Sequence, residues 1–268
     1  MKSVNLFKNI YQHKDLILQF TARELQLRHK GSRLGHLWGL LSPMMMLGLY
    51  LFIFGVVFGG RFGVLPNENF FDFALALFLG LSLFNLISEI INISPSIILS
   101  QPNFVKKIVF PLHIISITKT AASLYYCLLS VLICIVLAPF GHGGITINAL
   151  YLPIIILPLA MTALGISWAL SAIGVFVRDV NHITGFAATA LMYASAIVYP
   201  PTKVPRNIWI ILKINPIPIL IDQARTVLLW HGKLNFTDLC YAYIASLIIL
   251  TTGYWIFSTL RPGFAEVL

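Results

Sequence analysis

Acidic side chains are scarce in this sequence. Nine Asp and Glu stand against eighteen Lys and Arg in 268 residues, and charged residues make up only 10% of the chain. A soluble domain carries about 25%. With 58% hydrophobic residues and a mean hydropathy of +0.88, the composition excludes an ordinary soluble domain and indicates an integral membrane protein. The formal charge of +9 would suggest nucleic acid if a soluble domain presented it. No such domain exists, so the basic residues are read as marks of the cytoplasmic flanks, and no nucleic-acid partner is expected. Cysteine is also rare. Cys127, Cys134 and Cys240 form no C-x-x-C pair and no cluster of zinc-site spacing, which leaves them as small buried hydrophobes.

The sequence lacks the common catalytic and nucleotide motifs. There is no G-x-x-x-x-G-K-[ST], so nucleotide is not held through a P-loop here. G-x-S-x-G and H-E-x-x-H are missing as well. Charged residues inside apolar runs are functional candidates by default. The candidates are Asp72, Glu89 and Lys119, each near a run's end, where snorkelling reaches an interface. Glu89 has no nearby carboxylate in the sequence, which disfavours a proton-coupled carrier. It also disfavours a membrane-embedded hydrolase, which needs acid, base or metal groups together.

What is present is a succession of apolar runs. A span needs about 20 mainly apolar residues, and six stretches qualify: about 37–58, 70–91, 112–139, 150–177, 183–199 and 239–260. Pro43 interrupts the first, and Pro153 and Pro158 predict a broken or tilted start to the fourth. The first run begins too late and runs too long for a cleavable leader, so insertion through the spans themselves is expected. The expected fold class is therefore an all-α integral membrane protein with six transmembrane helices. Lys and Arg in the connecting segments favour an N-terminus and a C-terminus both on the cytoplasmic side.

Two stretches are neither spans nor simple loops. In residues 14–30, Gln19, Arg23, Gln26 and Lys30 recur at helical spacing beside Leu16, Phe20 and Leu27. This predicts an amphipathic helix lying in the inner interface. Residues 1–35 would form this cytoplasmic N-terminal part and 36–268 the six-span domain. A basic joint, R-H-K-G-S-R-L-G-H-L-W-G, connects the two, with Gly31 and Gly35 letting the chain turn into the membrane. The segment of about 199–238 is apolar yet cut by Pro200, Pro201, Pro205, Pro216 and Pro218. Its pieces 204–214 and 217–230 predict two short re-entrant helices, the second carrying Asp222 and Arg225 close enough to pair on one face.

Four motifs in order resemble one family, the membrane subunits of ABC type-2 exporters of polysaccharides and teichoic acids. They are R-H-K-G-S-R-L-G-H-L-W-G-L-L-S-P, N-F-V-K-K-I-V-F-P-L-H-I-I, V-F-V-R-D-V-N-H-I and I-N-P-I-P-I-L-I-D-Q-A-R-T-V-L-L-W-H-G, and together they cover nearly the whole chain. Asp222 departs mildly from the family, whose members often carry Glu there. The resemblance implies a homodimer whose subunits each dock on a separate ATP-binding subunit. ATP and Mg would sit on that partner, and this chain would bind no cofactor and catalyse no reaction itself. It also implies a lipid-linked polysaccharide as cargo, carried on undecaprenyl diphosphate across the bacterial inner membrane. O-antigen is favoured, with capsule or teichoic acid also fitting.

The resemblance further assigns roles. The inner loop of about 92–111 would hold the coupling helix, with Asn103, Lys106 and Lys107, while Arg178 and Asp179 would support docking or merely cap and anchor the fourth span. Trp209, Pro216, Asp222 and Arg225 would belong to an outer gate. Arg23, Arg28, Lys30 and Arg33 are placed to attract the lipid diphosphate through charge-assisted hydrogen bonds. Anchoring to anionic lipid is the alternative role for that cluster. A stand-alone secondary transporter and a membrane enzyme acting on lipid-linked sugars are the alternative functions. The first needs midplane ion ligands and the second clustered carboxylates or histidines, and neither is found.

Overall fold

The computed structural model describes residues 11–57, 59–60, 62–64, 68–106, 110–141, 144, 146–199, 205, 207–208, 212 and 214–268. Among them there is no strand. The helices are α1 (Lys14–Arg28), α2 (Trp38–Tyr50), α3 (Phe70–Ile97), α4 (Pro102–Lys106), α5 (His113–Leu137), α6 (Leu152–Phe176), α7 (Val180–Ala194), α8 (Pro216–Leu228), α9 (Phe236–Leu260) and α10 (Phe264–Val267). The all-helical reading holds. Among the described residues four stretches are long and apolar enough to cross a membrane: Phe70–Ile97, His113–Phe140, Ile147–Phe176 and Phe236–Val267. The other two expected spans are shorter as α-helix. α2 has 13 residues and runs on into a π-helical stretch, Leu51–Val57, while α7 stops after 15.

Helix ends follow local chemistry. Asn69 and Asp72 form a capping box at the start of α3. Asn235 caps α9, and Asn215 caps α8 with Pro216 in the first turn. The fourth span opens on a 3-10 turn, Ile147–Tyr151, before Pro153 enters α6, as its prolines predicted. Between α1 and α2 the chain turns at Gly31 (φ 85°) and Gly35 (φ 47°), a backbone region that disfavours a side chain. Trp38 Nε1 donates to Ser32 Oγ at 2.8 Å across this joint.

α3 is the central helix. It touches α2, α5, α6, α7 and α8, and most of its length is buried. In lipid there is little hydrophobic drive between helices, so close backbone approach and polar glue hold them together. α6 and α9 approach at glycines: a Cβ at Gly253 would collide with the Gly165 carbonyl, and one at Gly165 with Ile249. A Cβ at Gly174 of α6 would collide with the Pro95 backbone of α3. Buried hydroxyls pair across these interfaces, Ser94 with Ser167 (3.2 Å) and Thr162 with Ser246 (2.9 Å), and across α5–α6, Ser116 with Ser171 (3.3 Å). Trp168, fully buried, donates from Nε1 to the His113 carbonyl at 3.1 Å.

α1 departs from a simple apolar-face reading. None of its residues is buried, and Leu18 and Leu27 are exposed. Phe20 does pack, its ring 5.9 Å from Phe104 and 5.4 Å from Phe110. The next two turns on the same side carry Glu24 and Arg28, which pair with the bundle. The face that meets the bundle is therefore half ionic, a mixture that a search for an apolar stripe cannot register.

Candidate functional site

The bundle has two chemically different ends. At one end, α1 leans on α5 across the last turns of α3 and encloses a cleft of about 900 Å³. Its walls are Phe20, Arg23, Glu24 and Arg28 of α1, Glu89 of α3, Asn103 of α4 and Lys119 of α5, among others. Arg28 Nη1 donates to Glu89 Oε1 at 2.7 Å, and its guanidinium lies 4.1 Å from the Tyr126 ring centre. Lys119 Nζ donates to Glu24 Oε2. Tyr126 OH and His29 Nε2 are 2.9 Å apart, which fastens the end of α1 to α5.

The cleft is thus lined by three cations and two carboxylates that largely neutralise one another in pairs. The Arg28–Glu89 side chains keep 43% and 29% of their exposure, so this pair is weak and can exchange partners with an arriving anion. Arg23 lines the same cleft from an exposed position. Arg28 also borders a second cavity of about 370 Å³ deeper in the bundle, between α2, α3, α5 and α7. That cavity carries Trp38, Tyr50 and Tyr126 beside hydroxyls and an amide. Arg28 is the charged residue at the boundary between the two spaces.

At the other end, α8 is packed against α3, α6 and α9 and is buried along most of its length. Arg225 is only 1% exposed. Its Nε donates to the Ala76 carbonyl at 2.8 Å and its Nη2 to the Ile197 carbonyl at 2.7 Å. The guanidinium lies 4.7 Å from the Phe62 ring centre. Phe62 in turn stacks on Phe73 (4.9 Å) and Trp230 (5.8 Å). Gly80 makes the slot in α3, because a Cβ there would collide with the guanidinium. The expected Asp222–Arg225 ion pair is not formed directly. Among the described residues the ion pairs are Arg28–Glu89 and Lys119–Glu24, and Arg225 turns inward to carbonyls while Asp222 acts on it at longer range. The three-residue spacing allowed the pair, but the slot at Gly80 offered a better-fitting partner set.

Of the proposed anion-binding residues, the structure brings Arg23 and Arg28 together in the cleft; Lys30 and Arg33 are exposed and line neither cavity. Asn103 sits on the cleft wall in α4, the short helix expected in the inner loop. Lys107 and the Lys106 side chain lie outside the described residues, as does Trp209 with most of the first expected re-entrant helix. Arg178 and Asp179 are exposed where α6 gives way to α7. α10 contacts both α4 and α6, so these loops share one end of the bundle. Pro216 opens α8, one residue before the start of the expected piece 217–230. The sequence reading missed Glu24 altogether and did not foresee that Glu89 and Lys119 are both paired, since their partners lie 61 and 95 residues away.

The chain resembles the O-antigen export system permease protein RfbA of Myxococcus xanthus, with 26% identity over 98% of this chain and 99% of the relative. The similarity to RfbA of Klebsiella pneumoniae is 25% over 99% and 100% of the two chains. Polysialic acid transport protein KpsM of Escherichia coli is 25% identical over 88% and 90%. The family model for the ABC-2 type transporter matches residues 15–229, from α1 through α8 and so across both ends of the bundle. This chain is a member of the ABC-2 type transporter family.

Proposed function

We propose that this protein is the membrane subunit of an ATP-driven exporter of a lipid-linked polysaccharide, with O-antigen as the polymer. One observation carries the reading: the similarity to an O-antigen export permease runs from end to end, over 98% of this chain and 99% of the relative. The absence of a P-loop motif from the sequence agrees with ATP hydrolysis on a separate subunit, where ATP and Mg would bind. Two copies of this chain, each with one ATP-binding partner, would form the translocation path in the bacterial inner membrane, both termini cytoplasmic. In this reading α2 with its π-helical extension and α7 with the turn after it complete a set of six spans. α8 dips back as an outer gate, with Arg225 holding it closed. α4 with Asn103, together with Arg178 and Asp179, meets the ATP-binding subunit.

The charged cleft gives this reading its mechanism at the entry side. A lipid diphosphate approaching along the membrane surface meets Arg23 at the cleft rim. It then competes with Glu89 for Arg28, forming charge-assisted hydrogen bonds that outlast the weak resident pair. The test is co-purification with a candidate ABC-type ATP-binding subunit, followed by export assays. A stable complex and loss of surface polysaccharide on deletion are expected. Failure to form any such complex overturns the reading. Arg23→Ala with Arg28→Ala should reduce export while the complex still assembles, and normal export from that double variant removes the cleft from the mechanism.

A further inference from the structure

One face of α3 carries an unusual pattern. Ser82, Asn85, Glu89, Asn92 and Ser96 follow one another at spacings of three, four, three and four residues. At 3.6 residues per turn they share one side of the helix. Apart from these and Asp72, Ser88 and Ser94, α3 is apolar, and it is the most buried of the span-length helices. Asn85 is exposed on it, at the sixteenth position of a 28-residue helix. At 1.5 Å per residue it lies roughly 20 Å from either end. A side chain as short as Asn cannot snorkel that far. An amide facing hydrocarbon there would lose its hydrogen bonds at a cost of several kcal/mol, about 2–7. It must therefore face water, a polar solute or a polar group of another subunit.

A second observation points the same way. Ser82 is only 7% exposed, and no hydrogen bond reaches its hydroxyl among the described residues. Other buried hydroxyls in the bundle, such as Ser94, Ser116 and Thr162, are partnered across helix interfaces. Ser82 instead lines the 370 Å³ cavity, together with Asn85 and Ser88. The opposite walls bring the rings of Trp38, Tyr50 and Tyr126. Neutral hydroxyls and amides on one side and aromatic faces on the other suit a sugar ring, whose hydroxyls hydrogen-bond and whose C–H faces pack on aromatics. The stripe leads from this cavity past Glu89 to the charged cleft, and Arg28 neutralises Glu89 on the way.

We infer that this face of α3 is a hydrated track for an uncharged, hydroxyl-rich sugar chain, and that the cavity at Ser82 and Asn85 is a sugar-binding subsite on it. The identity of the solute rests on the function proposed above; the hydration of the track does not. The track is tested by cysteine accessibility in the assembled transporter, in a Cys240→Ser background, since Cys240 is exposed whereas Cys127 and Cys134 are buried. Asn85→Cys and Asn92→Cys should react with a membrane-impermeant methanethiosulfonate reagent far faster than Leu128→Cys and Leu247→Cys on exposed apolar faces. Labelling no faster than those controls overturns the track. So does a disulfide joining two copies at Asn85 without labelling, which would make the face a dry dimer contact.

The subsite is tested by Asn85→Leu, checked first for assembly by size exclusion. Export should fall roughly three- to tenfold for the lost hydrogen bond, and Asn85→Gln should restore it. Full export by Asn85→Leu removes the subsite. If Asn85→Cys labels in membranes that hold this chain while no complex with an ATP-binding partner forms, the track stands and the exporter reading falls.

Discussion

Arg28 and Arg225 are the same residue type put to opposite uses at the two ends of one bundle. Arg28 sits in an open cleft and is matched by a carboxylate, Glu89, at 2.7 Å. Its pair is hydrated, weak and replaceable. Arg225 is buried, matched by two backbone carbonyls and an aromatic face, and fits a slot that only a glycine at position 80 leaves open. A buried guanidinium is costly to leave unmatched, so its surroundings must stay where they are. The difference teaches that charge in this protein is mobile at the α1 end and structural at the α8 end. An exchangeable pair suits a place where an anion arrives, and a fixed one suits a seal.

This contrast can be broken most forcefully at Arg225. Arg225→Met should lower stability in detergent by about 3 kcal/mol, because two charge-assisted hydrogen bonds vanish and both carbonyls lose their donor. Thermal unfolding read by size-exclusion fluorescence measures it, and an unchanged midpoint would show that α8 is held by apolar packing alone. Gly80→Ala attacks the same slot from the other side and should cost about 1–3 kcal/mol by overpacking. The two changes should be strongly non-additive, since the methyl group has nothing to strike once the guanidinium is gone. Additive losses would sink the idea of a shared slot.

At the open end the effects should be smaller. Lys119→Met leaves Glu24 without its cation in a partly buried place and should cost about 1 kcal/mol. Glu89→Gln should cost less still, below about 1 kcal/mol, and the difference should shrink in high salt because the pair is solvent-exposed. A salt-independent loss of several kcal/mol from Glu89→Gln would mean that the cleft is a second seal, and the contrast between the ends would collapse.

Much of the fold could be read locally. The segment that becomes α8 was legible as a short apolar piece that prolines cut out of the 199–238 stretch, whereas its Asn215 cap showed only in the structure. Gly31 and Gly35 marked the turn between α1 and α2 because few other residues accept their backbone angles. The limits of α2 and α7 were harder to place. Apolar composition reports the length of a greasy run, whereas the π-helical stretch at Leu51–Val57 and the turn after Ala194 depend on hydrogen-bond register. The polar stripe on α3 was present in the letters all along. It was masked by its small share of a long apolar run, and only the exposure of Asn85 and the unpartnered Ser82 gave it meaning.

By itself the sequence determined that the chain is a helical membrane protein, that a basic joint precedes the first apolar run, and that no P-loop motif is present. These follow from composition, short-range spacing and caps, which act between neighbours along the chain. Only the tertiary structure decided which charges meet. Arg28 finds Glu89 across 61 residues, Lys119 finds Glu24 across 95, and Arg225 finds Ala76 across 149. Such pairings depend on how helices are laid side by side, and that depends on where glycines and small hydroxyls let backbones approach, a sum over many weak contacts that no local pattern spells out.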